Sequence, residues 1–522
     1  MGGEISESEV FDIVVIGGGI NGAGIARDAA GRCLKVLLCE KDDFGQHTSS
    51  ASTKLIHGGL RYLENYHFKL VRNSLREREV LLRNSPHIIW PLRFVLPYDQ
   101  SIRPRWMIRA GLFIYDSLAP MNLLERSRQV DLKNHSAGVS LQAGMRYGFE
   151  YSDCWVQDSR LVVLNVADAA AAGACVLSRT KCTDLKRENE FWWVTLKRDN
   201  GVSSNPDVFR IRARVIVNAT GAWVDSIARD FHNAEPSLVT QLVRGSHIVV
   251  RKLFDHQYAY IFQHPDSRIL FCIPYERDFT LIGTTEVAVD HVTDESQITD
   301  LEINYLCTAV NRYLNQTITP QDVIWSYSGV RVLCGENSRD TSQLSRDYSI
   351  KIDNSLAPIV SVFGGKITTY RLLAEDVMSL LKNIEGFDKP KWTHDAKLPG
   401  GDLNGLNTTQ YAEHLCEKYS WLPQGLAYRL ACHYGSNTHM VLKDCFKVSD
   451  LGEQFSSDLY QAEVDYLIQH EFARSAEDIV WRRTRQGIQM DSARINRLNE
   501  YIDSTLNIED VNEVTFNASL HT

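Results

Sequence analysis

Residues Phe11 to Arg32 read FDIVVIGGGINGAGIARDAAGR, and the order of residue types in them decides the fold. A β-rich run stops at three glycines and passes directly into an alanine-rich stretch, the pattern of strand, tight turn and helix. Within it Gly17-Gly18-Gly19-Ile20-Asn21-Gly22 fits G-x-G-x-x-G. Gly17 permits the tight turn, Gly19 lets the backbone approach a diphosphate, and Gly22 lets helix and strand pack closely. The helix opening at Ile20 and Asn21 points free N–H groups and its positive dipole end at the phosphates. A second β-rich run, Val36-Leu37-Leu38-Cys39, ends in Glu40, eighteen residues beyond Gly22. An acid there accepts hydrogen bonds from a ribose and disfavours a 2′-phosphate.

Two further stretches repeat the grammar of strand, glycine and helix: Val215 to Ala222 (VIVNATGA) and Ile359 to Arg371 (IVSVFGGKITTYR). Widely separated pieces of one nucleotide-binding domain, with other material inserted between them, produce this spacing. The early start of the fingerprint favours FAD, as does the hydroxyl-rich run Thr48-Ser49-Ser50-Ala51-Ser52-Thr53. Of these, Thr48, Ser49, Ser50 and Ser52 are candidates to bond the diphosphate or a ribityl chain. Asn218, Thr220 and Gly221 form a candidate second nucleotide contact. Gly364, Gly365, Lys366 and Thr368 precede a helix whose N-terminus would stabilise an anionic reduced flavin.

The insertions read as sheet. Phe191 to Arg198 and Val208 to Arg212 are two strands with a turn at Asp199-Asn200-Gly201. From Ser246 to Thr285 four β-rich runs separated by turn residues predict an antiparallel sheet that walls a substrate pocket. Lys389 to Asp402 is rich in proline and glycine and reads as a linker, and Tyr411 to Asn499 has helical spacing throughout. The expected fold is α/β: an FAD-binding Rossmann-like domain of the glutathione-reductase type over residues 1–98, 150–245 and 355–388. An inserted antiparallel-sheet substrate domain would take residues 99–149 and 246–354. A C-terminal helical cap domain would take residues 389–522.

Composition narrows the partners. The 522 residues are 44% hydrophobic and 23% charged, enough for a large core. A formal net charge of −9 argues against nucleic acid, which needs a basic footprint. Eleven cysteines, an odd number with no C-x-x-C pair, predict neither a disulfide framework nor a zinc site, so no metal is expected and a reducing compartment is. No uninterrupted apolar run of about 18 residues is present, so no spanning helix is expected.

Several motifs are more specific. Ser49-Ser50-Ala51-Ser52-Thr53-Lys54-Leu55-Ile56-His57-Gly58-Gly59-Leu60-Arg61-Tyr62-Leu63, Gly148 to Trp155, Arg244-Gly245-Ser246-His247, Tyr327-Ser328-Gly329-Val330-Arg331 and Ser361 to Arg371 together resemble the FAD-dependent glycerol-3-phosphate dehydrogenases of the aerobic, quinone-linked type. The resemblance runs from about residue 11 to Trp481-Arg482-Arg483-Thr484. Two positions depart from the family: Val332 follows Arg331 where proline is usual, and Glu286 follows Gly283-Thr284-Thr285 where aspartate is common.

The resemblance implies oxidation of sn-glycerol 3-phosphate to dihydroxyacetone phosphate, by hydride transfer to FAD, with electrons passed to a quinone. On that reading Arg61, Arg331 and Lys366 hold the phosphate and the developing alkoxide, and Tyr62 adds a hydrogen bond. His57 or His247 takes the hydroxyl proton, His57 slightly preferred. In an alternative, Arg331 and Lys366 lower the alcohol's pKa and a water accepts the proton. Other readings are an oxidase that uses oxygen, and a non-catalytic FAD-binding sensor. The resemblance also implies a cytoplasmic protein held peripherally at the inner face of the membrane. Arg103 to Tyr115, with three arginines, a tryptophan and an apolar side, is the candidate interfacial helix. The helical C-terminal region, with Arg482, Arg483 and Arg485, would cap the cleft, form a homodimer contact or serve solubility.

Overall fold

The structure, a computed structural model, describes residues 9–519 apart from 65, 100–102, 200–206, 228–238, 267, 293–296 and 336–346. The turn expected at Asn200-Gly201 lies outside the described residues.

Val10–Ile16 forms the centre of an eight-stranded sheet. Val36–Cys39 and Asp207–Asn218 flank it in parallel, and Cys175–Leu177 and Ile359–Phe363 continue the parallel array on either side. Ile13, Val14, Val15 and Ile16 are all buried, as expected of a parallel strand covered on both faces. Helices Ile20–Gly31, Asp158–Ala171 and Tyr370–Leu381 cover one face. The other face is covered by a meander in which Thr180–Glu188 pairs with Phe191–Arg198, which pairs with Asp207–Asn218. The runs VFRIR and VIVN, which the sequence separates, are therefore one strand. Its first half extends the meander and its second half joins the parallel sheet.

The second sheet has ten strands in the order Val287–Val289, Val239–Arg251, Phe279–Gly283, Ile269–Tyr275, Ala259–Gln263, Ile89–Pro97, Tyr147–Val156 and Leu55–Ile56. Val323–Gly335 also pairs with Val239–Arg251, and Arg128–Asp131 with Tyr147–Val156. Pairing is antiparallel except where Ala259–Gln263 runs parallel to Ile89–Pro97. This corrects the expected domain boundaries. Leu55–Ile56, Ile89–Pro97 and most of Tyr147–Val156 were expected in the FAD-binding domain and belong to the substrate sheet. The boundary at 245 cuts Val239–Arg251 in two, and Ser349–Asp353, expected in the substrate domain, edges the first sheet. The chain crosses between the sheets more often than its turn residues reveal, because a strand buried in either sheet carries the same apolar run.

Beyond residue 389 the chain is helical as expected: Thr408–Lys418, Gln424–Tyr434, Thr438–Val441, Gln461–Glu471 and Ser492–Ser519. They close on a separate core that includes Leu415, Leu430, Leu467 and Leu498. The segment Lys389 to Asp402 is a packed strap rather than a loose linker. The Trp392 indole N–H donates to the Asp28 carbonyl at 3.1 Å, and the Arg27 guanidinium lies 4.9 Å over the same ring. Arg482, Arg483 and Arg485 are not surface residues. All three are buried against Asp43 or Asp158, inside the chain's own interdomain contact.

Candidate active site

The ends of Val10–Ile16, Val36–Cys39, Asp207–Asn218 and Ile359–Phe363 converge at the carboxyl edge of the parallel sheet, the place where such sheets hold ligands. Gly17 has φ +106°, and a Cβ on Gly22 would stand 1.9 Å from the Gly17 carbonyl oxygen. Only glycine fits either position. Gly19 caps helix Ile20–Gly31 in extended conformation, so the N–H groups of the first turn face outward. The Ile20 N–H donates to Ser49 Oγ at 3.0 Å, and a Cβ on Gly19 would approach that oxygen to 3.2 Å. Asn21 Nδ2 donates to the Gly364 carbonyl at 3.1 Å and packs under Gly365, while its Oδ1 is buried without a partner. One side chain thus joins the two helix entries that a flavin dinucleotide would bridge, and its orphaned acceptor faces that junction. The cradle fits FAD.

The remaining cofactor candidates divide by what their side chains already bind. Glu40 is buried and accepts the Gly18 N–H at 2.6 Å and the Asp42 N–H at 2.9 Å, so each oxygen keeps one lone pair for a ribose. Burial pushes its carboxyl above the ordinary value and the two N–H groups oppose that shift. Glu40, Asp42 and His47 bring ligand-type atoms within 4.8 Å of one another, but His47 is engaged by Asp42 at 2.7 Å. Ser50 Oγ donates to the Gln46 and His47 carbonyls at 3.1 Å, and Ser52 Oγ donates to Asp158 at 2.7 Å. Thr48 Oγ1 donates to the Val330 carbonyl at 2.6 Å. Of the four hydroxyl candidates, Ser49 stands at the helix N-terminus, and the hydroxyls of Thr48, Ser50 and Ser52 donate to the loop's own surroundings. Asn218 and Thr220 hold each other at 2.7 Å, with Asn218 Nδ2 donating to the Val224 carbonyl at 3.0 Å. They shape the turn that ends in Gly221, φ +59°.

The reacting side is built by register. Antiparallel pairing sets Arg331 opposite Val243, Gly329 opposite Gly245 and Tyr327 opposite His247, so these residues share one face. That face meets the loop after the second strand: a Cβ on Gly329 would touch Ala51, and Tyr327 donates its hydroxyl to the Ser52 carbonyl at 2.8 Å. Arg331 Nη2 lies 3.0 Å from where a Cβ on Gly245 would stand and 3.8 Å from Glu286 Oε1. Gly283, across from His247, leaves room for the imidazole, since a Cβ there would overlap the ring. His247 Nε2 is 2.9 Å from Thr53 Oγ1 and its Nδ1 is buried without a partner. Burial pulls its pKa down to about 3, with the Lys54 and Arg331 cations adding to the effect. His247 therefore stands as a neutral imidazole.

Lys366 Nζ lies 3.8 Å over the Tyr62 ring. Tyr62 and the half-buried Arg61 share the 3-10 turn Leu60–Leu63, which Gly59 opens at φ +77°. His57 is clamped by its backbone, its N–H donating to Thr368 Oγ1 at 3.3 Å, and its ring meets Phe271 edge-on. The structure thus brings together Tyr62 with Lys366, His57 with Thr368, and Arg331 with His247. Lys54, Thr53, Asp158, Tyr327, Gly283 and Glu286 were not assigned a role in advance. All but Asp158 lay within stretches the sequence had already singled out: Thr53 and Lys54 in the run from Ser49 to Leu63, Tyr327 in that ending at Arg331, and Gly283 and Glu286 about the two threonines.

A glycine cradle of this shape at the carboxyl edge of a parallel sheet, beside a second sheet carrying a buried imidazole and cations, fits a flavin-dependent oxidoreductase. Residues 12–368 match the model of the FAD dependent oxidoreductases, and residues 391–506 match that of the C-terminal domain of alpha-glycerophosphate oxidase. The chain belongs to the FAD-dependent oxidoreductase family. It is 46% identical over 499 residues to a glycerol-3-phosphate dehydrogenase of Pseudomonas aeruginosa, covering 95% of this chain and 96% of that protein. It is 45% identical over 501 residues to a D-erythritol 1-phosphate dehydrogenase of Brucella abortus, covering 96% and 99%. The glycerol-3-phosphate dehydrogenase from Bacillus halodurans, solved with FAD, shares the fold at a TM-score of 0.75 and 24% identity over 95% of each chain.

Proposed function

We propose that this enzyme oxidises the C2 hydroxyl of sn-glycerol 3-phosphate to give dihydroxyacetone phosphate, and that its electrons pass to a membrane quinone. The reading rests above all on the strand register that sets Arg331 and His247 on one face of the substrate sheet. FAD supplies the hydride acceptor. Gly17, Gly19, Ile20, Asn21 and Gly22 would hold its diphosphate and Glu40 its ribose, and Gly364, Gly365 and Thr368 would serve its flavin end.

Arg61 and Arg331 hold the substrate phosphate, because a planar guanidinium matches its oxygens in pairs. Lys366 faces the hydroxyl oxygen and stabilises the charge that develops as its proton leaves. His247 Nδ1 takes that proton. Support comes from its buried, unpartnered Nδ1 and from Thr53 Oγ1, 2.9 Å from Nε2: in the tautomer whose Nε2–H donates to that oxygen, Nδ1 carries the lone pair. The phosphate dianion against Arg331 offsets a cation that otherwise opposes imidazolium. His57, the other candidate base, is held by its backbone against Thr368.

No described helix is long and apolar enough to cross a membrane. Contact with quinone is assigned to helix Arg105–Ser117, which buries Ile108, Leu112 and Tyr115 and leaves Trp106 71% and Phe113 63% exposed beside Met107 and Ile114. An apolar face with arginines at its rim suits the interfacial zone of a bilayer.

Adding glycerol 3-phosphate to the purified enzyme without oxygen should bleach the flavin absorbance, and a quinone analogue should restore it faster than oxygen does. Bleaching by D-erythritol 1-phosphate alone would move the substrate to the longer polyol phosphate. Faster return with oxygen would make the enzyme an oxidase. Bleaching by neither phosphate would overturn the reading.

A further inference from the structure

We propose that Arg485, carried by the C-terminal helical domain, is a positioning residue for His247. The inference rests on the placement of His247 at the reacting hydroxyl. Arg485 is buried, has φ +57°, and donates from Nη2 to Asp158 Oδ1 at 2.7 Å. Asp158 also receives Lys54 Nζ, at 3.0 Å on Oδ1 and 2.9 Å on Oδ2, and the Ser52 hydroxyl at 2.7 Å. Glu276, its side chain 30% exposed, lies 3.5 Å from Arg485 Nη1 at the edge of this buried group, so two cations meet two carboxylates. Its charges cancel, which is what allows it to be buried at all.

The cluster grips both groups that hold His247. Residues 52, 53 and 54 are consecutive. Ser52 and Lys54 are tied to Asp158, and Thr53 between them bonds His247 Nε2 at 2.9 Å. Lys54, itself at φ +61°, sets its ammonium 4.8 Å over the Tyr327 ring, whose hydroxyl donates to the Ser52 carbonyl. Tyr327 in turn stacks on His247. A second route runs alongside. Trp481, four residues before Arg485, stacks on Trp325 at 4.7 Å, and Trp325 packs against Tyr327 at 5.0 Å. The C-terminal domain therefore buttresses the imidazole from outside the FAD and substrate sheets. Losing the Arg485 guanidinium removes one of the groups that fix Asp158 and so loosens the loop that carries Thr53.

The test is a double-mutant cycle on the holoenzyme, reading FAD content, calorimetric substrate affinity, the unfolding midpoint and the rate of anaerobic flavin bleaching. Arg485→Ala should keep FAD, change substrate affinity less than about twofold, and lower the bleaching rate ~100-fold, the effect of misplacing a reacting group by about an ångström. Added guanidinium ion should restore part of the rate without moving the unfolding midpoint. In a His247→Asn background Arg485→Ala should cost little more, because residues acting as one unit are not additive. Where Arg485→Ala loses FAD, Arg485→Lys keeps the charge without the fork, and an intermediate rate that follows the same cycle supports the proposal. An equal loss in both backgrounds, or an unchanged rate in Arg485→Ala or Arg485→Lys, overturns it while leaving the proposed reaction standing. A full rate in His247→Asn alone would instead remove His247 from the chemistry.

Discussion

His247 and Tyr327 lie ring against ring, 4.8 Å between centroids and 14° from parallel, on neighbouring strands paired at that position. The stack holds the imidazole edge-on to the site and keeps water from one face. With Gly283 beside the ring and Thr53 at Nε2, Nδ1 is the buried ring nitrogen without a hydrogen-bond partner.

Replacing Arg331 or Lys366 with alanine should cut turnover by ~10²–10³-fold, the usual result of removing a preorganised charge from a reacting centre. The flavin absorbance of either purified variant should equal that of the parent, since neither side chain builds the diphosphate turn. Wild-type turnover in both variants would place the reacting atoms elsewhere.

Gly22→Ala should give protein with little flavin. Its Cβ would stand 1.9 Å from a backbone oxygen that cannot move without opening the Gly17 turn. The ratio of absorbance at 450 and 280 nm reads the outcome, and a fully yellow variant would contradict the geometry.

Acid should destabilise the fold before its carboxylates titrate. Burial pulls His87 and His247 down to about 3 and His433 well below the ordinary imidazole value. In the unfolded chain these rings protonate near 6.5, so below that pH the unfolded state binds more protons than the folded one. The stability they contribute is whole above about pH 6.5 and drains away as pH falls toward about 3. The unfolding midpoint should therefore drop steadily between pH 7 and 5, and His87→Gln should flatten that slope. A midpoint that holds constant over this range would show the rings to be accessible when folded.

Trp106→Asp combined with Phe113→Asp should abolish cosedimentation with vesicles of anionic phospholipid, because a charge on the apolar face opposes its insertion. The bleaching rate with glycerol 3-phosphate should not change, since the helix face lies outside the site. Undiminished cosedimentation would move the membrane contact to another surface.

The cofactor half of this protein was legible because its grammar is local. Gly17, Gly19 and Gly22 fall within six consecutive residues, and two of them answer to the turn itself: Gly17 at φ +106°, and Gly22, whose Cβ would stand 1.9 Å from the Gly17 carbonyl oxygen. Gly364, Gly365 and Lys366 could be read the same way. The hydroxyl-rich run was legible as a feature but not in its details. Whether Ser49, Ser50 or Ser52 faces the helix depends on Asp158 and on the Gln46 and His47 carbonyls, and on how the loop turns. The domain boundaries failed for a related reason: an apolar strand such as Tyr147–Val156 looks the same whichever sheet buries it.

By itself, then, the chain's order of residues determined a strand–glycine–helix nucleotide cradle, a sheet-rich insertion and a helical tail, since turns and periodicity act over a few positions. The three-dimensional packing alone decided that His247 rests on Tyr327, that Lys366 covers Tyr62, and that Arg485 reaches Asp158 across 327 positions of sequence. Such pairings are set by strand register and by the need to neutralise charges buried together, and neither leaves a mark in any short window of the chain.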